Sequence, residues 1–177
     1  MEPHIIIAQI IGLVAMAFSF ITYQMKSNRG IMVMLSLATT LFCIHYSILG
    51  ATTGLVLNIV GIVRNICYYF KDKKVLSSKV VPIILAAIMA VLSVFTWEGY
   101  HSAFFVVGIT INTLAMGYLS SQGLRKSILL TSTLILIYDA LIPGNPSVSG
   151  MLNETIAITS SIIGIIRFRK TAPNDNQ

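Results

Sequence analysis

The chain has 177 residues, of which 55% are hydrophobic and only 10% are charged. A water-soluble domain of this length needs more charge to cover its surface, so the composition excludes an ordinary soluble enzyme or binding module. Apolar runs with little charge recur at about twenty residues, the length of a membrane-spanning helix. They predict seven such helices, near residues 4–24, 30–49, 51–70, 78–96, 102–120, 124–142 and 148–168.

The net charge of +6 is concentrated in alternate connections between the predicted helices. Positive residues follow the first, third, fifth and seventh helices: Lys26, Arg29, Lys71, Lys73, Lys74, Lys79, Arg125, Lys126, Arg167, Arg169 and Lys170. The other connections contain no Lys or Arg and instead hold Glu2, His4, Glu98 and His101. This asymmetry is typical of membrane proteins and argues against a nucleic-acid surface. It predicts an N-terminus outside the cell and a cytoplasmic C-terminus.

The first three predicted helices carry polar residues at regular positions. The first helix places Gly12, Met16, Ser19 and Tyr23 on one face, and the second is apolar until His45 and Tyr46. In the third, small and polar residues recur at steps of four, three, four and three, namely Gly54, Asn58, Gly61, Asn65 and Tyr68. These steps put all five on one narrow helix face. We expect the glycines to serve close helix packing.

The last three predicted helices repeat this pattern at a constant offset of 96 residues, and the fourth has no counterpart. The seventh helix carries Gly150, Glu154, Ala157 and Ser161 where the third has Gly54, Asn58, Gly61 and Asn65. Gly108 and Asn112 of the fifth align with Gly12 and Met16 of the first. One odd helix between two copies of three makes both copies run in the same direction, as a parallel repeat. The predicted segments are a first bundle at 1–75, a linker helix at 76–100 and a second bundle at 101–177.

This 3+1+3 plan resembles that of the SWEET sugar facilitators and the wider PQ-loop superfamily. More closely, the chain resembles the YgjV family of bacterial inner-membrane proteins. The residues that carry the resemblance are Gln9 to Gly12, Tyr23-Gln24, His45-Tyr46 with Leu49-Gly50, Gly54, Arg64 with Tyr68, Tyr138-Asp139, Gly150 and Glu154. It implies a multi-pass protein of the bacterial inner (cytoplasmic) membrane. The superfamily's Pro-Gln motif is Tyr23-Gln24 here, and the core-helix prolines that act as hinges in SWEETs are missing.

Glu154 is the leading candidate functional residue, because an acid inside a membrane is costly and is usually kept for function. The repeat places Asn58 opposite it, and Asn65, Asn112 and Ser161 are predicted to line the same central cavity. Together they are expected to bind a small polar solute, a cation or a proton. The alternative is that these groups only form hydrogen bonds between helices.

Four further residues are candidates for the two ends of the cavity. His45 and Asp139 are expected to flank the outer mouth, and Tyr23 and Tyr68 to form an inner gate. The alternative for His45, common for a lone histidine near a helix end, is that of a hydrogen-bonded interfacial residue. Interfacial anchoring is the alternative for the tyrosines. Arg64 lies about 120° from Asn58 by helical angle and is expected to extend towards the cytoplasmic boundary. Its alternative role is to pair with a carboxylate or with an anionic group of the substrate.

We therefore predict an all-α membrane protein that transports a small solute by alternating access. The alternative is a non-transporting assembly partner or sensor, and an intramembrane enzyme ranks third. No catalytic motif such as H-E-x-x-H, G-x-S-x-G or a P-loop occurs, and Cys43 and Cys67 lie inside helices, so no enzyme activity, cofactor or metal is expected. The expected partners are the lipid bilayer and the solute, with no nucleic acid. The oligomeric state stays open, a homo-oligomer being one option.

Overall fold

The fold is described from a computed structural model, which covers residues 2–22, 28–70, 76, 78–119 and 121–167. These residues form seven α-helices and no strand. The helices are α1 (Pro3–Thr22), α2 (Asn28–Leu49), α3 (Thr52–Tyr69), α4 (Val80–Phe95), α5 (Tyr100–Tyr118), α6 (Ser121–Leu141) and α7 (Val148–Arg167). The seven predicted helices are confirmed, and each end lies within 3 residues of its predicted position.

Six of the helices form a closed ring, and α4 lies outside it. In the ring α2 packs between α1 and α3, and α6 packs between α5 and α7. The ring closes where α1 contacts α7 and where α3 contacts α5, while α4 packs on α5 and α3. The six ring helices therefore surround a common interior. We call the end of the ring with Arg29, Lys79 and Arg125 the basic end, and the end with the α2–α3 and α6–α7 turns the opposite end.

Large apolar side chains are exposed on the outer surface, while many polar side chains are buried in the interior beside an apolar core, which is unusual for a soluble protein. Ile10 on α1, Val91 on α4 and Ile166 on α7 are each more than half exposed, whereas His45 and Asp139 have no exposed surface. An apolar exterior is what a lipid solvent requires, because a polar group facing hydrocarbon is costly.

By length and apolar composition, three helices in the described part of the chain qualify as membrane spans. They are Pro3–Thr22, Arg29–Leu49 and Val148–Arg167, while Val80–Phe95 is apolar but shorter. By this measure α3, α5 and α6 do not qualify. Polar and charged residues within them are the reason, among them Asn58, Arg64 and Asn65 on α3 and Arg125, Lys126 and Asp139 on α6. Seven spans therefore remain a prediction, of which three have direct support.

Three of the four repeat glycines allow helices to touch, and the fourth does not serve packing. A methyl group on Gly54 would lie 2.9 Å from the Tyr138 hydroxyl, and one on Gly108 would lie 3.1 Å from a side-chain carbon of Ile135. One on Gly150 would lie 2.4 Å from Ser147 Oγ. At Gly61 the nearest atom would be 3.5 Å away, which is ordinary contact. The packing role predicted for Gly61 is therefore wrong.

The beginning of α3 is fixed by a carboxylate from the α4–α5 connection. Glu98 accepts hydrogen bonds from the backbone N–H groups of Thr52 and Thr53, at 2.5 and 3.1 Å. The first N–H groups of a helix lack partners within it and carry partial positive charge, which a carboxylate neutralises. This contact fixes the start of α3 against the α4–α5 connection.

Candidate solute site

A polar cavity of about 120 Å³ lies at the centre of the ring, and all six ring helices contribute to it. Its lining residues are Ser19, Leu35, Ala38, Thr39, Phe42, Tyr46, Asn58, Arg64, Phe105, Ile109, Asn112, Ile135, Gly150, Asn153 and Glu154. None of them belongs to α4. We call this cavity the central lobe.

A second cavity of about 210 Å³ extends from the central lobe towards the basic end. The two share Ser19, Leu35, Asn112, Asn153 and Glu154, so they are parts of one space. The second cavity continues along Thr22 at the end of α1, Met116 on α5 and Leu124 near the start of α6. We call it the basic lobe. Together the lobes extend from the middle of the ring towards its basic end, with both polar and apolar residues in their lining.

Glu154 and Asn58 line the central lobe together, on α7 and α3. The Glu154 carboxylate accepts a hydrogen bond from the neighbouring Asn153 amide at 2.9 Å. The Asn58 amide donates to the backbone carbonyl of Gly54, one turn earlier, at 2.8 Å. Both side chains are thus held in place by their own helices and face the same space.

Asn112 of α5 is the polar residue of the cavity that is most available to a solute. It lines both lobes. In the described part of the chain its side-chain amide has no hydrogen-bond partner, although an amide can both donate and accept. A solute in the cavity would therefore find an unused hydrogen-bonding group on α5.

Arg64 does not extend to the boundary, and that prediction is wrong. Its side chain is only 4% exposed, lines the central lobe and folds back over Gly61, where a methyl group would lie 3.9 Å from Nη2. Helical side chains lean towards the helix N-terminus, which for α3 means away from the basic end. Asn65 and Thr113 supply oxygen acceptors there, so the guanidinium is hydrogen-bonded in the interior.

Four candidates from the sequence lie away from the cavity or outside the described residues. Asn65 is fully buried beside Arg64, and its amide donates to Thr39 Oγ1 at 3.4 Å. Ser161 is buried on α7 and lines neither lobe. The Tyr68 hydroxyl donates to the backbone carbonyl of Thr113 at 3.0 Å, at the contact between α3 and α5. Tyr23 lies outside the described residues.

His45 takes part in a contact that closes the opposite end. Its Nδ1 lies 2.7 Å from the backbone carbonyl of Ala8, and its Nε2 lies 2.7 Å from Ser147 Oγ. A carbonyl only accepts, so Nδ1 carries the proton, and in the neutral ring Nε2 accepts from the serine. The histidine thus joins α1 and α2 to the α6–α7 turn and lies in no open mouth.

Gln9 makes a second connection at the same end. Its amide nitrogen donates to the backbone carbonyl of Pro146 at 2.9 Å. Its amide oxygen accepts from the backbone N–H and the hydroxyl of Ser149, both at 3.1 Å. One side chain of α1 therefore holds both the α6–α7 turn and the start of α7.

Asp139 is buried beneath this closure. Its Oδ1 accepts a hydrogen bond from the Tyr46 hydroxyl at 2.7 Å, and a methyl group on Gly150 would lie 2.5 Å from its Oδ2. The Tyr46 ring lies 5.9 Å from that of Phe105 and 6.2 Å from that of Tyr138. Tyr46 and Phe105 also line the central lobe, so the buried Asp139 lies next to its wall.

Sequence reasoning missed Gln9, Ser147 and Asn153 as site residues. Asn153 is adjacent to Glu154 in a helix predicted to lie in the membrane, a signal that was available. Gln9 also stands alone among apolar residues in α1. Ser147 gave no signal, because a serine in a turn is ordinary and its partner His45 is distant in sequence.

The apolar exterior, the ring of helices and the buried polar cavity together define a multi-helix membrane protein. A family model named Imp-YgjV and described as a bacterial inner membrane protein matches residues 6–172. The chain therefore belongs to the YgjV family of bacterial inner membrane proteins. Searches of curated proteins and of solved structures gave no match. The relationship to the SWEET and PQ-loop superfamily stays a prediction.

Proposed function

We propose that the protein is a small-solute transporter of the bacterial inner membrane that works by alternating access. The observation that carries this proposal is the polar cavity at the centre of the ring, with Glu154, Asn58 and Asn112 in its lining. A protein that serves only for assembly would have no need for such a space, and solute flux distinguishes a transporter from a sensor. Glu154 binds a proton or a cationic group, and the asparagines donate and accept hydrogen bonds.

The two ends of the cavity differ as alternating access requires. The basic lobe reaches Thr22 and Leu124, near the basic end of the ring. The opposite end is closed by the contacts of His45 with Ser147 and of Gln9 with Ser149. This arrangement corresponds to a state that opens towards the basic end. Opening the other side requires those contacts to break, so the proposed outer gate lies between α1 and the α6–α7 turn.

The contacts between helices support two moving units of three helices. Each contact in α1–α2–α3 has a counterpart in α5–α6–α7, and the contact of α3 with α5 corresponds to that of α7 with α1. A parallel repeat about an axis along the membrane normal produces these pairs. The two bundles then rock about the central lobe, with the N-terminus outside and all seven helices in the membrane.

The test is solute flux into liposomes that contain the purified protein. Radiolabelled amino acids, organic acids and sugars would be tried one at a time, with and without a proton gradient. The wild-type protein is expected to move at least one of them, and Glu154→Gln to abolish or uncouple that movement. Glu2→Gln is the matched control, because Glu2 is an exposed acid outside the cavity.

Two outcomes would contradict the proposal. If no solute moved, the non-transporting assembly or sensor protein would become the better account. If Glu154→Gln carried solute at the wild-type rate and with the same proton dependence, Glu154 would have no part in transport.

A further inference from the structure

Arg64 is a buried cation with no buried anion beside it. Its Nε and Nη2 donate to Asn65 Oδ1 at 3.2 and 3.1 Å, and its Nη1 donates to Thr113 Oγ1 at 3.2 Å. Both acceptors are neutral. In the described part of the chain no carboxylate is in ion-pair contact with the guanidinium. A guanidinium has five N–H donors, so two remain without a partner there.

Such an arrangement is costly for the empty protein. A buried charge needs a counter-charge and a full set of hydrogen bonds to offset its desolvation. Asn65 and Thr113 supply part of the hydrogen bonding and none of the counter-charge. A buried charge of this kind is usually kept for function, for example when a bound ligand supplies the missing counter-charge and hydrogen bonds.

The position of Arg64 says where that ligand would lie. The side chain lines the central lobe, as do Asn58 and Glu154. Arg64 and Glu154 are not in ion-pair contact, although both line this space. The lobe therefore contains one cation and one carboxylate held apart by the fold.

We infer that Arg64 binds the carboxylate group of a small organic solute in the central lobe. The inference rests on the proposed function and deepens it by naming the substrate class. The planar fork of a guanidinium matches the two oxygens of a carboxylate and forms paired, charge-assisted hydrogen bonds. Asn65 and Thr113 fix the orientation of the fork, and the amide of Asn112 takes a polar group elsewhere on the solute.

The volume of the central lobe limits the size of the part of the solute that lies beside Arg64. A cavity of about 150 Å³ accommodates a benzene ring. The central lobe, of about 120 Å³, therefore suits roughly four to six non-hydrogen atoms. Acetate, glycine and lactate are in this range, whereas a hexose is too large for this lobe alone.

The first test measures binding by titration calorimetry on the full-length protein in detergent, at constant ionic strength. The probes are sodium lactate, its neutral analogue lactamide, glycine and sodium phosphate. Wild type is expected to bind lactate or glycine more tightly than lactamide and phosphate. Arg64→Gln should weaken that binding about tenfold or more, because a charge-assisted pair is lost. Arg29→Gln, at an exposed arginine outside the cavity, should leave it unchanged.

The second test compares the thermal unfolding of the two proteins without ligand. Arg64→Gln removes the unpaired buried charge, so its unfolding midpoint should equal or exceed that of wild type. A purely structural Arg64 predicts a lower midpoint. If this variant cannot be purified, Arg64→Lys replaces it in the binding test. It keeps the charge and loses the fork, so it should bind lactate more weakly than wild type.

The inference is overturned if wild type binds neither carboxylate, prefers lactamide or phosphate, or loses no affinity on substitution of Arg64. These outcomes are distinguishable from failure of the transport proposal. Flux of neutral solutes without carboxylate binding would refute the inference and leave transport standing. Carboxylate binding without flux of any solute would support the role of Arg64 and refute transport.

Discussion

At the scale of single residues, close contacts near the opposite end of the ring leave no room for a side chain at Gly150. Asp139 and Ser147 both lie close to Gly150 there. The Asp139 carboxylate accepts a hydrogen bond from the Tyr46 hydroxyl. The glycine is required by this approach, because any side chain would collide with two polar atoms. The helical glycine Gly61, by contrast, has room around it.

We predict that Gly150→Ala destabilises the protein and that Gly61→Ala does not. The new methyl group of Gly150→Ala would lie 2.4 Å from Ser147 Oγ and 2.5 Å from Asp139 Oδ2. Overpacking of this kind costs about 1–3 kcal/mol. Gly61→Ala meets its nearest atom at 3.5 Å and should gain from higher helix propensity. Thermal unfolding midpoints of both variants in detergent measure the difference, and equal midpoints would contradict the contact at Gly150.

At the scale of the helix, the sequence was enough to predict where helices occur. Apolar runs and their spacing predicted seven helices with nearly correct ends. The predicted placement of Glu154, Asn58 and Asn112 on one cavity agrees with the lining of the central lobe. These side chains sit on helix faces that periodicity alone can identify.

The direction in which a long side chain extends could not be predicted from the sequence, and the prediction for Arg64 was wrong. Arg64 turns inward because α5 brings Thr113 to it and Asn65 lies beside it. Asn65 and Ser161, on the predicted face, are buried against neighbouring helices and not against the cavity. The helical angle predicts the helix face on which a residue lies. It does not predict which neighbouring helix packs against that face, because tertiary packing decides this.

We predict that Glu98→Ala destabilises α3 through the loss of its cap. The carboxylate accepts from the N–H groups of Thr52 and Thr53, and no other side chain in the described part of the chain takes this place. Loss of such a cap typically costs about 0.5–2 kcal/mol. Glu2→Ala removes an exposed acid of the same type and is the control. Thermal unfolding in detergent should show a lower midpoint for Glu98→Ala only, and unchanged unfolding would mean that α3 needs no cap.

At the scale of the whole molecule, the account depends on a ring of helices that presents apolar residues to lipid and polar residues to an internal space. Three helices have the length and composition of membrane spans on their own. Polar residues of the cavity lie both on helices that qualify and on helices that do not. Glu154 and Asn153 are on α7, whereas Asn58 and Asn112 are on α3 and α5.

The most direct test of this central claim is the reactivity of single cysteines towards a membrane-impermeant thiol reagent. The background is a variant in which Cys43 and Cys67 are replaced by alanine. Asn112→Cys places the thiol in both lobes, and Ser161→Cys places it at a buried position outside them. We predict that Asn112→Cys reacts when the reagent reaches the cytoplasmic side of inside-out vesicles, while Ser161→Cys stays protected. If the thiol at 112 is as unreactive as the one at 161 in folded protein, the interior is dry and the transporter account is contradicted.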